Sequence, residues 1–305
     1  MVVRLLLAAL LVALALPTRA HAELRVVATT TDLADITRAV GGKHVGVESI
    51  CKGEQDPHYV QARPSYMVAL SRAHLLVAVG LDLEAAWLPS LVRGARNPRI
   101  NPGKPGYLDA SGAITPIGVR GGSVDRRGGD LHPFGNPHYW LDPDNGKRIA
   151  AHIAARLKKL DAGHADDYDR NLARFAAAVD TAMARWQKRL AAHRGKKVAS
   201  YHATFNYFIA RFGLVQSGFV ESKPGIPPAP AHLARLIIDM RKQGVGVILH
   251  ERYHDVGASK LVASRSGATV LQLPTSVGGG SGTGSYVKLL DHLVDRTASA
   301  LGAGR

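Results

Sequence analysis

Residues 166–193 read DDYDRNLARFAAAVDTAMARWQKRLAAH, a stretch with neither glycine nor proline. Alanine, leucine and arginine, all good helix formers, dominate it. Tyr168, Leu172, Phe175, Val179, Met183, Trp186 and Leu190 recur at steps of three and four, which lines them along one face of a helix. At 1.5 Å per residue the segment makes a rod of roughly 40 Å. An ordinary surface helix of one domain would read the same way, but a position at the middle of the chain favours a connector between two.

On both sides of the rod, strand and helix patterns alternate. Leu24–Thr29 reads as a first strand, with Thr30-Thr31-Asp32 capping a helix that runs to about Val40. Val45–Ile50 is a second strand, Ser65–Arg72 a helix, Leu75–Val79 a buried strand stopped by Gly80, and Asp82–Leu91 an amphipathic helix. From Asn97 to Pro137 the chain is rich in Gly and Pro, and Gly121–Asp130 reads as an exposed loop. Past Gly195 the alternation resumes. Strands are expected at Lys197–Ser200, Val215–Val220, Val245–Leu249 and Thr269–Leu273, and helices at Asn206–Phe212, Ala231–Gln243, Ala258–Ser266 and Tyr286–Ala300. Strands separated by helices imply mainly parallel sheets with both faces covered. The expectation is an α/β protein of two lobes, 23–163 and 195–305, bridged by a linker helix over 164–194.

Three histidines stand in similar settings. His58 lies in Gln55-Asp56-Pro57-His58-Tyr59, His138 in Asn136-Pro137-His138-Tyr139-Trp140-Leu141-Asp142-Pro143, and His202 in Ser200-Tyr201-His202-Ala203-Thr204-Phe205. Each follows a strand end or tight turn, and two come directly after proline, which fixes the local backbone. In open α/β sheets ligands bind outside the carboxyl ends of strands. His58, His138, His202 and also Glu251 fall at such ends, so the imidazoles are placed to converge on one cation. His132, in the Gly-rich loop region, is expected to touch a metal at most transiently.

Composition bounds the partners. The formal charge is +15, falling to about +13 once Arg4 and Arg19 leave with a leader. The basic residues are scattered, without aromatic interleaving or a nucleic-acid module, so no nucleic-acid partner is expected. Leu5–Leu16 is an apolar run behind Arg4 and ends in Ala20-His21-Ala22, the pattern of a secretory signal peptide over residues 1–22. The run is shorter than the ~20 residues that span a bilayer. The single cysteine, Cys51, lies well past the cleavage region, so neither a lipidated first residue nor an internal disulfide is expected. A monomeric periplasmic protein without a lipid anchor fits these features.

The mature chain resembles the cluster A-I periplasmic metal-binding proteins, the zinc and manganese receptors of ABC importers. The resemblance is carried by Asp56-Pro57-His58 with Pro64-Ser65 following, Asn136 to Pro143, Tyr201-His202 with Tyr207-Phe208, and the long helix between them. It implies two α/β lobes bridged by a rigid helix, with metal in the cleft, His58 and His138 from the first lobe and His202 from the second. A histidine at the third position implies Zn²⁺ as the transported ligand, in preference to Mn²⁺. It further implies a membrane permease as partner and no enzymatic activity.

The chain departs from that family twice. The loop before His138 is rich in glycine and arginine, where zinc members often carry a His- and Asp-rich insert. The late segment where many members supply an aspartate ligand reads Leu273-Pro274-Thr275-Ser276-Val277-Gly278-Gly279, with no carboxylate. The fourth position is therefore left to water or to Glu251, with His250 and His254 as weaker candidates. Glu251 is equally readable as a buried carboxylate that orients a histidine. Neutral imidazoles suit zinc, copper, iron and nickel, while manganese prefers carboxylate oxygen. An exported zinc hydrolase with Glu251 as general base is the rival reading, but no His-Glu-x-x-His helix or nucleophile elbow accompanies it.

Overall fold

A computed structural model describes residues 23–119 and 132–303. The expected leader over residues 1–22 and the expected loop at Gly121–Asp130 lie outside the described residues. The first lobe holds β1 (Leu24–Ala28), α1 (Thr31–Gly41), β2 (Val45–Ser49), α2 (Pro64–Arg72), β3 (Leu75–Ala78), α3 (Leu88–Ala95) and β4 (Tyr107–Asp109). Two long helices follow, α4 (Pro143–Leu160) and α5 (Ala165–Leu190). The second lobe holds β5 (Lys197–Ser200), α6 (Asn206–Arg211), β6 (Val215–Phe219), α7 (Pro230–Gln243), β7 (Val247–Glu251), α8 (Gly257–Ser266), β8 (Thr269–Leu273) and α9 (Tyr286–Ala303).

The sheets are topological twins, ordered β2-β1-β3-β4 and β6-β5-β7-β8 with parallel pairing throughout. In each, the chain steps one way and then crosses back. The reversal lies between β1 and β3 in the first sheet and between β5 and β7 in the second. Crevices outside the strand ends at such reversals are where open α/β sheets take their ligands.

α5 follows from its stripe. Tyr168, Phe175, Val179, Met183, Trp186 and Leu190 are buried, and the helix packs against α1, α4 and α9. One hydrophobic core runs without a break from Val26 and Val77 of the first sheet, through Val179 and Leu290, to Leu249 and Leu273 of the second. Fully burying each such aliphatic side chain contributes about 1.5–3 kcal/mol. Polar bonds add to this seam. Asp32 Oδ1 accepts from Val277 N at 2.9 Å, Asp35 Oδ2 from Tyr286 N at 2.8 Å, Thr275 O from Trp140 Nε1 at 2.9 Å, and Trp140 O from Tyr286 Oη at 2.6 Å.

Four elements differ from the sequence expectation. The helix expected over Asp82–Leu91 begins only at Leu88, because Gly80, Leu81 and Asp82 take consecutive positive φ values of 81°, 52° and 65°. These form a tight left-handed turn that a helix cannot enter. β4 and α4 arise where no element was expected. α4 opens on Asp142 as its cap, whose Oδ1 accepts from Asp144 N at 2.9 Å, with Pro143 in the first turn. β7 runs two residues later than expected, so His250 and Glu251 are inside the strand and pair with Gln272 and Leu273.

Candidate metal centre

His58 and His138 are held by the same local device. In Asp56-Pro57-His58, Asp56 Oδ1 accepts from the His58 backbone N–H at 2.9 Å. In Asn136-Pro137-His138, Asn136 Oδ1 accepts from the His138 backbone N–H, also at 2.9 Å. Proline between the two sets φ, and the side-chain amide or carboxylate closes the turn. Asp56 then goes further and accepts from His58 Nδ1 at 2.7 Å, which points His58 Nε2 into the cleft. The Asn136 amide donates instead across the seam to Ala203 O at 2.7 Å, beside His202.

His202 enters from the second lobe, one residue beyond the residue that follows β5. Its ring Nδ1 faces Glu221 Oε1 at 3.4 Å, and that same oxygen accepts from Gly225 N at 2.6 Å. The three rings meet with centroids 5.1, 5.3 and 5.5 Å apart. Among the described residues, His58, His138 and His202 form the group whose ligand atoms all lie within 4.8 Å of one another, and all three are buried. His138 is 0% exposed, and neither of its ring nitrogens has a hydrogen-bond partner among the described residues. A buried imidazole without partners is costly unless a ligand takes its lone pair.

The electrostatics divide the trio. Burial, reinforced by the neighbouring His58 and His202, holds His138 well below the ordinary imidazole range. Burial also works to lower His202, but the Glu221 contact and the charge of Glu251 override it and leave the imidazole raised. Burial works to raise Asp56, but the hydrogen bonds from the His58 ring and backbone together with the charge of His58 override it and leave the carboxyl lowered.

Glu251 is not a member of the converging group. It is fully buried in β7, its oxygens have no hydrogen-bond partner among the described residues, and burial pushes its carboxyl up to about 7. His250 has both ring nitrogens engaged, with Ser259 Oγ at 2.9 Å and His254 O at 3.2 Å. His254 has its ring 6.4 Å from that of His202, and burial lowers it to about 4. His132 stands at the mouth instead, its Nε2 3.2 Å from His58 Nε2 and its Nδ1 3.0 Å from Leu81 O.

Sequence reasoning assigned no role to Asp56, Asn136 or Glu221. The first two carried a visible signal, an Asx-Pro-His triplet occurring twice. Glu221 carried none, since the pairing of β5 with β6 alone brings it beside His202.

The chain belongs to the ZnuA family, described as zinc-uptake complex component A, periplasmic, whose pattern matches residues 26–300. It is 27% identical over 250 residues to the manganese ABC transporter substrate-binding lipoprotein PsaA of Streptococcus pneumoniae, covering 80% of this chain and 77% of that protein. It is 25% identical over 253 residues to the iron ABC transporter substrate-binding lipoprotein MtsA of Streptococcus pyogenes serotype M1, covering 81% and 78%. A crystal structure of ZnuA superposes with a TM-score of 0.74 at 24% identity, over 92% of this chain and 99% of that one. A cadmium-bound periplasmic metal-binding protein from Candidatus Liberibacter asiaticus gives 0.76 at 20% identity, over 92% and 100%. The protein is thus a substrate-binding component of a metal ABC importer, and members of this family carry ions rather than transform substrates.

Proposed function

We propose that the protein carries Zn²⁺, taking it up between His58, His138 and His202 and delivering it to a membrane permease. The observation that carries this reading is the convergence of three buried imidazoles, one of them with both nitrogens unpartnered among the described residues. An all-nitrogen set favours zinc over manganese, which takes carboxylate oxygen more readily. The named relatives carry manganese and iron, so the metal is the point to test. The division into 23–163, 164–194 and 195–305 belongs to the same reading, with the ion held between lobes.

We also infer a periplasmic location after cleavage before Glu23, without a lipid anchor, although PsaA and MtsA are named lipoproteins. Cys51 is 3% exposed in the first lobe, where no acyl chain has access to it. Mass spectrometry of the exported chain should give a first residue of Glu23 with no added lipid. The test of the cargo is equilibrium dialysis of metal-stripped protein against Zn²⁺ and Mn²⁺, for the unaltered chain and for His58→Ala, His138→Ala and His202→Ala. One zinc per chain, lost in each variant, is expected. Preference for manganese would replace zinc as the cargo, and undiminished zinc binding in all three variants would remove the site.

A further inference from the structure

The end of the first lobe remote from the histidine trio carries a second recess. Leu24 opens β1, His74 precedes β3, and Leu160 closes α4, whose other end adjoins His138. With Pro98, Arg99 and Lys104 they line an open hollow of about 470 Å³. The polar side chains among them are all donors. Arg99 and Lys104 have no carboxylate partner among the described residues. The Arg25 backbone N–H donates to His74 Nδ1 at 3.0 Å, so that nitrogen holds the lone pair and the ring proton sits on Nε2. Burial, and then the charges of Arg25 and Arg99, hold the ring below the ordinary imidazole range and so in this neutral form. The Asp161 carboxylate, next to Leu160 in the chain, is turned to His164 Nδ1 and Tyr168 Oη, which reach its Oδ2 at 2.7 and 2.6 Å.

The frame of the hollow is fixed by the loop that leads into β4. Asn97 donates to Leu70 O and Ala73 O at 2.9 and 2.8 Å, and its Oδ1 accepts from Arg99 N at 3.2 Å. Gly106 N donates to Arg99 O at 3.1 Å, and Arg156 Nη1 to Pro105 O at 2.6 Å. A Cβ on Gly106 would lie 2.6 Å from Arg99 O and 2.8 Å from His74 O, so only glycine lets the loop approach β3 this closely. We propose that the hollow binds a phosphate group, free or on a lipid headgroup, between Arg99, Lys104 and the Nε2–H of His74. Two cations on one frame repel each other until an anion lies between them. A phosphate offers at least three acceptor oxygens to donors on different sides, and its bonds to charged donors are about twice as strong as neutral ones. The hollow shares no residue with the histidine site, and zinc binding is expected to be independent of it.

A phosphate titration of the mature chain tests this, at ionic strength held constant with sodium chloride and read by the ¹⁵N signals of the His74 ring. The Nε2–H signal is expected to shift saturably. A double variant, Arg99→Gln with Lys104→Gln, should need about 10-fold more phosphate or beyond, since it loses hydrogen bonds to a charged group. Both positions are exposed, so the variant should fold and keep its zinc stoichiometry. A second arm uses vesicles of phosphatidylglycerol. Sedimentation with them, reversed by phosphate and lost in the double variant, makes a lipid headgroup the source. Phosphate binding without sedimentation makes the source a soluble phosphate. A His74 signal that chloride moves as far as phosphate does, or an affinity unchanged in the double variant, overturns the site. So does a ring signal that neither phosphate nor vesicles move.

Discussion

Arg211 at the end of α6 holds Asp142, the cap of α4, with both arms of its guanidinium, Nε to Oδ1 at 2.6 Å and Nη2 to Oδ2 at 2.7 Å. Nη1 reaches Asp144 Oδ2 at 2.8 Å as well. The planar fork matches the carboxylate, so the pair fixes the angle between lobes as well as their separation. Arg211→Ala should lower the stability of the protein by about 1.5–3 kcal/mol, the range for hydrogen bonds to charged groups. Arg211→Lys should recover less than half. Denaturant titration reads both, and zinc stoichiometry should stay at the unaltered value in each.

His138 gives a prediction with opposite signs in two measurements. Because its nitrogens are buried without partners among the described residues, the metal-free protein bears their desolvation. His138→Leu should therefore raise the stability of the metal-free form by about 1–3 kcal/mol. It should also weaken zinc binding beyond the ~10–100-fold typical of outer-sphere losses. Calorimetric unfolding in chelator, next to zinc titration, gives the two numbers. A less stable metal-free variant would show that His138 is a packing residue.

Glu221 acts through His202. Glu221→Gln removes a charge that helps to hold this imidazole up, so the His202 pKa should drop. Zinc needs the neutral ring, and in the unaltered protein proton competition sets in as pH falls through the raised value. The variant should therefore lose zinc at a lower pH than the unaltered chain does. At pH 8, where protons no longer compete, it should bind about 10–100-fold more weakly because the ring has lost its orienting partner. Zinc titrations across pH 5–8 separate the two effects.

Asp32 predicts how the metal-free fold responds to pH. Burial raises its carboxyl from 3.8 to about 7, against the opposing hydrogen bond from Val277. A raised folded value means the native state keeps a proton that the unfolded chain releases. Stability from this group is thus complete below pH 4 and is lost as pH rises to about 7. Its share of the change between pH 5 and 8 is about 2–3 kcal/mol. Glu84 and Glu251, both raised to about 7 by burial, push in the same direction. Asp32→Asn should shrink the stability difference between pH 5 and pH 8, measured by urea unfolding in chelator. An undiminished difference would mean the seam does not charge Asp32.

Periodicity made most of the fold readable. The stripe from Tyr168 to Leu190 defined α5 because an amphipathic helix repeats one signal many times. The valine-rich strands were readable for the same reason. What escaped was set by single residues or by distant contacts. Left-handed φ at Leu81 and Asp82 delays α3, and nothing in their side chains announces it. The three residues of β4 are a strand only because β3 offers an edge. At the site, the repeated setting of His58, His138 and His202 was visible in the sequence. The contact of Glu221 with His202 and the approach of His132 to His58 depend on tertiary structure, and Glu251 was placed by a strand register two residues off.

The uninterrupted core from Val26 to Leu273 bears on how the cargo leaves. Two bodies fused through shared Val, Leu and Tyr side chains unfold together, and a single calorimetric transition is expected of the metal-free chain. Such a molecule does not swing apart like a trap. On the proposed reading, an ion held by His58 and His138 should depart when the rim is disturbed from outside, which would place the timing of release in the encounter with the importer. Spontaneous zinc loss should accordingly be slow, and should quicken when the permease is present.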